Sequence, residues 1–234
     1  MNNKNLYYST LPYLLLFAIM GVVALCFPQK ELHLYLNQYH TCFLDKLMLL
    51  LTYIAAYGIY VAILGLLIWR WRVAVALLIA HLTSTGITQV IKHIVGAPRP
   101  ALVFDLANNP DALPVAEGVK MNLYNSFPSG HTTTVSTLCV FLTILALMYI
   151  QDANNIEKDA CKREKIAHRW SKKEQLLIFS IVYLTLLLLC IGCGYSRIYL
   201  SQHFLLDVAV GGIIGTIVSL IVGTLTFRIE NKTH

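Results

Sequence analysis

Charge is what this sequence has least of. Asp, Glu, Lys and Arg make up 13% of its 234 residues, against about 25% in an ordinary soluble domain, while apolar residues reach 57% where about 45–50% is usual. Several separate apolar runs approach the ~20 residues a helix needs to cross a bilayer. The chain therefore reads as an integral membrane protein, and residues 1–234 as one membrane domain. Other absences narrow the function. No polar segment interleaves aromatic and basic residues, which sets nucleic-acid binding aside despite a formal charge of +6. Of the six cysteines, Cys190 and Cys193 form a CxxC, but it has no second pair to complete a zinc site and no βαβ setting for redox chemistry.

Six spans can be drawn, at Leu11–Phe27, Leu47–Ile68, Val73–Val95, Thr132–Ile150, Leu176–Gly194 and Val208–Phe227. The first has only Lys4 before it and no small-residue cleavage site after Phe27, so it reads as a retained helix rather than a signal peptide. Cytoplasmic segments collect Lys and Arg, and twelve of the eighteen fall on one side: Lys4, Arg70, Arg72, seven between Lys158 and Lys173, Arg228 and Lys232. Both termini are thus expected in the cytoplasm, at an inner membrane if the cell is bacterial. The mixed-charge stretch Asp152–Glu174 reads as a solvated helical connection. On the outer side, Pro28–Lys46 is expected to lie in the interface. Gly96–Phe127, with four prolines and the Asn108-Asn109-Pro110-Asp111 cluster, is expected to be a loop.

Three short blocks carry the side chains that a membrane protein normally avoids, and this topology puts all three on the outer face. They are Lys92 to Arg99-Pro100, Pro128-Ser129-Gly130-His131, and Ser196-Arg197 to His203 and Asp207. Proline suits a first helical turn, so the second block reads as a helix start whose free N–H groups point outward. Such an end binds anions, and Gly130 lets a ligand approach the backbone. Lys92, Arg99 and Arg197 surround it with fixed positive charge, Arg being shaped for forked contact with phosphate oxygens. The fitting occupant is a phosphoryl group. His203 and Asp207 stand four residues apart, which on a helix puts them on one face, where the carboxylate accepts a hydrogen bond from one ring nitrogen and leaves the other basic. That nitrogen is then a nucleophile for phosphorus. His131 supplies a second imidazole to protonate the leaving group and activate water. A carboxylate-held metal finds no ligands, because the outer segments contain only Glu31, Asp45, Asp105, Asp111, Glu117 and Asp207, none closely paired. The expectation is no metal and no other cofactor.

These three blocks resemble the signatures of the type 2 phosphatidic acid phosphatase (PAP2) family, which also includes the vanadium haloperoxidases. All eleven signature positions between Lys92 and Asp207 match, a coincidence on the order of one in a million or below at average residue usage. The resemblance implies an all-α bundle of six transmembrane helices with an outward-facing active site. It further implies a phosphohistidine at His203 oriented by Asp207, an acid at His131, and phosphate binding by Lys92, Arg99, Ser129, Gly130, Ser196 and Arg197. The partner is a phosphorylated membrane lipid in the bilayer. The family's substrates include phosphatidylglycerophosphate, phosphatidate, undecaprenyl pyrophosphate and lipid A, and the compact, outward-facing layout leans towards a bacterial envelope lipid, lipid A first. The alternative is a non-catalytic binder or transporter of phosphate lipids, which the intact His203, Asp207 and His131 disfavour. A haloperoxidase is disfavoured by the six spans.

The remaining polar residues read as structural. His81 and Gln89 are expected to pair with neighbouring helices, His93 to sit at the interface, and Glu117, Lys120 and Asn125 to lie on a loop surface.

Overall fold

The structure, a computed structural model, describes residues 3–109, 112–160 and 171–230. Pro110, Asp111, Cys161, Lys232 and most of the mixed-charge connection after Ala160 lie outside the described residues, as do the side chains of Lys4, Asp152 and Arg228. Among the described residues six helices are long and apolar enough to cross a membrane: α1 (Asn3–Cys26), α3 (Cys42–Trp69), α4 (Trp71–Val95), α6 (Gly130–Ala160), α7 (Lys172–Tyr199) and α8 (Leu205–Glu230). Two short ones, α2 (Gln29–Leu36) and α5 (Pro100–Val103), lie between spans. The protein is a multi-pass, all-helical membrane protein.

Helix ends follow local chemistry. Thr41 opens α3 by accepting the Leu44 N–H through its hydroxyl at 3.2 Å, satisfying one of the four donors left over at a helix start. Ser171 and Glu174 cap α7 reciprocally, at 3.3 and 2.6 Å. Gly96, at φ 59°, ends α4 in the left-handed conformation that glycine adopts without penalty. Between α3 and α4 only Arg70 is non-helical, so the turn is tighter than the expected spans implied. At the other end α1 starts earlier than Leu11, because Leu6, Thr10, Tyr13 and Phe17 recur at helical spacing and are all buried.

α6 is the central post: 72% of its spanning window is buried, against 11% for α7. α8 lies against it through glycines. A Cβ added at Gly211 would stand 2.5 Å from the Ser129 carbonyl oxygen, and one at Gly215 2.5 Å from that of Thr133. This small-xxx-small spacing lets the two backbones approach closely, since lipid offers no hydrophobic drive for helices to associate. Hydroxyls then tie the seam: Ser136 Oγ donates to the Gly212 carbonyl at 2.8 Å and Ser219 Oγ to that of Thr137 at 2.8 Å.

One side of the segment expected to lie in the interface is docked on the bundle. His33 and Asn37 are buried beneath α2, 2% and 0% exposed. Asn37 Nδ2 donates to Ser201 Oγ at 2.7 Å, and His33 Nε2 stands 3.3 Å from the same oxygen. Unpaired buried polar groups are costly, so these contacts hold α2 on the turn between α7 and α8.

Candidate active site

Chain direction alone brings the three blocks together. Lys92 closes α4, Arg197 closes α7, Gly130 and His131 open α6, and Asp207 lies in the first turn of α8, all at one end of the bundle. The loop after α4 folds across this end: the Arg99 N–H donates to the Leu123 carbonyl at 2.8 Å and the Ser126 N–H to that of Ala97 at 2.9 Å.

The cations are held by neutral oxygens. Lys92 Nζ, 8% exposed as a residue, donates to the Asn125 carbonyl at 2.6 Å and lies 3.4 Å from that of Ser126. Arg99 donates from Nε to the Tyr124 carbonyl at 2.9 Å, and from Nη1 to the Gln202 carbonyl and Oε1 at 3.2 and 3.1 Å. Arg197 is buried and gives Nη1 to Thr52 Oγ1 at 2.9 Å, while its Nε has no hydrogen-bond partner among the described residues. Among the described residues no carboxylate comes within 4.0 Å of any of the three. Buried charges are ordinarily paired. Three convergent cations, which Asp207 reaches only at longer range, therefore form a cup for an anion.

Asp207 and His203 meet differently from the expected i,i+4 pair on one helix face. α8 begins only at Leu205, so His203 belongs to the preceding turn and the carboxylate reaches backwards, with Oδ2 accepting the Phe204 N–H at 2.9 Å. This is the acidic half of a capping box. From there Oδ2 stands 3.4 Å from His203 Nδ1, longer than the ~2.7–2.9 Å of a charge-assisted hydrogen bond. The Ser126 hydroxyl bridges them, donating to Oδ2 at 2.5 Å and lying 3.4 Å from Nδ1. Burial pushes the His203 imidazole down to about 3 from its usual value near 6.5, with Asp207 opposing and Arg197 and Arg99 adding to the shift. The ring is therefore neutral, and its Nε2 accepts no hydrogen bond among the described residues.

The second block also differs in detail. α6 starts at Gly130, so Pro128 precedes the helix instead of opening it. Ser129 is the cap, its hydroxyl accepting from Thr132 Oγ1 at 2.9 Å. Its N–H donates to the Asp207 carbonyl at 2.9 Å, and the free N–H groups are those of Gly130 and His131. The His131 ring has no hydrogen-bond partner among the described residues and lies within electrostatic reach of Arg197, His203, Arg99 and Lys92. Ser196, expected to face phosphate, is fully buried, with its hydroxyl given to the Cys193 carbonyl at 2.7 Å and lying 3.1 Å from Thr52 Oγ1. Both serine hydroxyls are thus turned into the protein, because each satisfies a helix-end or interhelical partner.

Sequence reasoning missed Ser126, Thr52 and Gln202. Ser126 stands two residues before Pro128, and Gln202 directly precedes His203; those neighbours were the available signal. Thr52 had none, being a lone hydroxyl in an apolar run.

Residues 69–230 match the model of the PAP2 superfamily. Among solved structures the chain is similar to Aquifex aeolicus LpxE, with a TM-score of 0.57 and 23% identity, over 85% of this chain and 93% of that one. It is similar also to the transmembrane PAP2 type phosphatidylglycerolphosphate phosphatase of Bacillus subtilis, with a TM-score of 0.59 and 20% identity, over 97% and 98%. At such identities the likeness establishes the fold. No curated protein sequence matches. The family match covers more than half of the chain and includes the three cations, both imidazoles and Asp207: the chain belongs to the PAP2 superfamily.

Proposed function

We propose that this protein is a metal-independent lipid phosphatase that removes a phosphate monoester or diphosphate from a lipid head group at the outer face of a membrane, the periplasmic face in a bacterium. One observation carries the reading: three buried or half-buried cations without a carboxylate partner surround two imidazoles that have free nitrogens. A phosphoryl group supplies the missing negative charge. A phosphatidylglycerolphosphate phosphatase that shares the fold supports the same class of substrate.

In this mechanism Lys92, Arg99, Arg197 and the Gly130 and His131 N–H groups hold the non-bridging oxygens, with Ser129 and Ser196 supporting them as cap and as partner of Thr52. Neutral His203 attacks phosphorus through Nε2 as the phosphorus–oxygen bond to the lipid breaks, forming a phosphohistidine. Asp207, through Ser126, stabilises the positive charge that develops on the ring. The negative charge of bound phosphate offsets the surrounding cations and lets His131 carry a proton, which it gives to the departing oxygen; as imidazole it then takes one from water, whose oxygen attacks phosphorus and frees inorganic phosphate. Cations preorganised around a loose transition state carry the charge stabilisation that Mg²⁺ supplies elsewhere.

The test is a panel of phosphorylated lipids offered to purified protein in the presence of chelator. Turnover should persist, orthovanadate should inhibit as a phosphate mimic, and acid quenching with labelled lipid should trap phosphate on the chain. His203→Ala should abolish both turnover and label; phosphate release by that variant at the wild-type rate would overturn the assignment.

A further inference from the structure

A groove of about 250 Å³ opens beside His131 between α3, α4 and α6. Its α4 wall presents Gln89, Thr85 and His81, which at 1.5 Å per residue lie about 4.5, 10 and 16 Å deeper along the helix than Lys92. Polar groups at this depth in a membrane are costly and ordinarily find partners inside the bundle. The deepest ones do. His81 Nε2 is 3.2 Å from Tyr60 Oη and its Nδ1 3.4 Å from Thr85 Oγ1, and Thr88 Oγ1 donates to Thr133 Oγ1 at 3.1 Å. Gln89 does not: its side-chain amide has no hydrogen bond among the described residues, although it stands one turn below the phosphate cup on an exposed wall.

Resting on the phosphatase reading above, and with the substrate's acyl chains in this groove, we infer that Gln89 reads the ester or amide carbonyl joining an acyl chain to the head-group scaffold. The register supports it. With phosphorus beside Lys92 and His131, the first acyl linkage of a glycerolipid or acylated glycolipid hangs roughly one glycerol length below, at the level of Gln89. A polyprenyl phosphate has only hydrocarbon at that depth and would leave the amide unpaired, so the geometry selects acylated phosphate lipids over polyprenyl ones.

Three substrates with the same phosphate monoester separate the outcomes: a diacyl lipid, its dialkyl ether analogue lacking both carbonyls, and a polyprenyl phosphate, each in mixed micelles. The wild type should prefer the diacyl lipid over the ether in kcat/KM by about three- to tenfold, the range expected of one hydrogen bond, and turn over the polyprenyl phosphate least. Gln89→Leu, an exposed site where an apolar side chain meets lipid, should reduce that ester-over-ether ratio to near one, and Gln89→Asn should restore part of it. Equal ratios for wild type and Gln89→Leu, or a polyprenyl phosphate as the best substrate, would overturn the subsite and leave the phosphatase reading standing. Absence of phosphate release by the wild type from all three and from a soluble monoester would instead overturn the phosphatase reading, and this inference with it.

Discussion

Replacing Arg197 by Met should make the resting protein more stable and the enzyme nearly inert. Arg197 is 5% exposed, donates to Thr52 Oγ1, leaves its Nε unpaired among the described residues, and has the Arg99 charge within electrostatic reach. Burying an ion without a partner costs several kcal/mol after relaxation, while the charge-assisted bond given up is worth about 1.5–3 kcal/mol. Methionine keeps the length and packing of the stem, so the variant should gain about 1–3 kcal/mol without anion. With orthovanadate the order reverses. At a concentration 100 times Kd the wild type should gain about 2.7 kcal/mol by mass action, a gain the variant should lose. Turnover should fall by at least about a hundredfold to a thousandfold, the cost of removing one preorganised donor from a developing anion. Thermal unfolding in micelles, with and without vanadate, reads the first two quantities and phosphate release the third. A variant that melts lower without anion, yet keeps the full vanadate increment, would refute the argument that Arg197 is an unpaired charge awaiting phosphate.

Ser126→Ala should lower kcat by about ten- to a hundredfold, as for a hydrogen bond to a charged group, with KM little changed and Ser126→Thr restoring much of it; unchanged kcat would mean that the hydroxyl does not position the His203–Asp207 pair. Burial lowers the His33 and His203 imidazoles to about 4 and about 3, so between those values and the usual 6.5 the unfolded chain binds protons that the folded one refuses. Their contribution to stability is full above pH ~6.5 and declines as pH falls below it, by up to about 1.4 kcal/mol per pH unit for each ring. Melting followed from pH 8 to 5 should therefore show a falling midpoint, less steep in His33→Phe; a midpoint that rises towards pH 5 would contradict the burial argument. Gly215→Ala should cost about 1–3 kcal/mol by overpacking, its Cβ 2.5 Å from the Thr133 carbonyl oxygen, whereas Gly65→Ala, with nothing within 4 Å of its Cβ, should be neutral or slightly stabilising on the same melting assay.

Much of the fold was legible because a bilayer imposes a coarse rule: spans must be long and apolar, and charge must lie between them. Five of the six expected spans fall within helices of the structure, and the first overruns the end of α1 by one residue, Phe27. What composition does not carry is the docking of segments that are neither apolar nor charged. The stretch Pro28–Lys46 alternates polar and apolar residues in a way that suits a bilayer surface, and its buried side reveals itself only when Ser201 is found beneath Asn37 and His33. Hydrogen-bond partners 164 and 168 residues away leave no periodic trace.

The site divides along the same line. Lys92, Arg99, Arg197, His131 and His203 were legible because charge and imidazole at a membrane end are costly enough to stand out, and the structure gathers them. The serines were harder, since a hydroxyl serves a cap, a neighbouring helix or a ligand with equal ease, and Ser129 and Ser196 are committed to the first two. Spacing also misjudged how Asp207 reaches His203: four residues imply a shared helix face, but the helix starts between them, and Ser126 from a distant loop fills the gap. The assignment of His81 and Gln89 to helix pairing holds for His81, which meets Tyr60 across α3. It fails for Gln89, another polar residue two turns nearer the cup, because burial decides which polar side chain finds a protein partner and which waits for a ligand. A polar side chain in a span thus becomes a substrate contact where it lines a groove instead of meeting a neighbouring helix, and that is a property of packing.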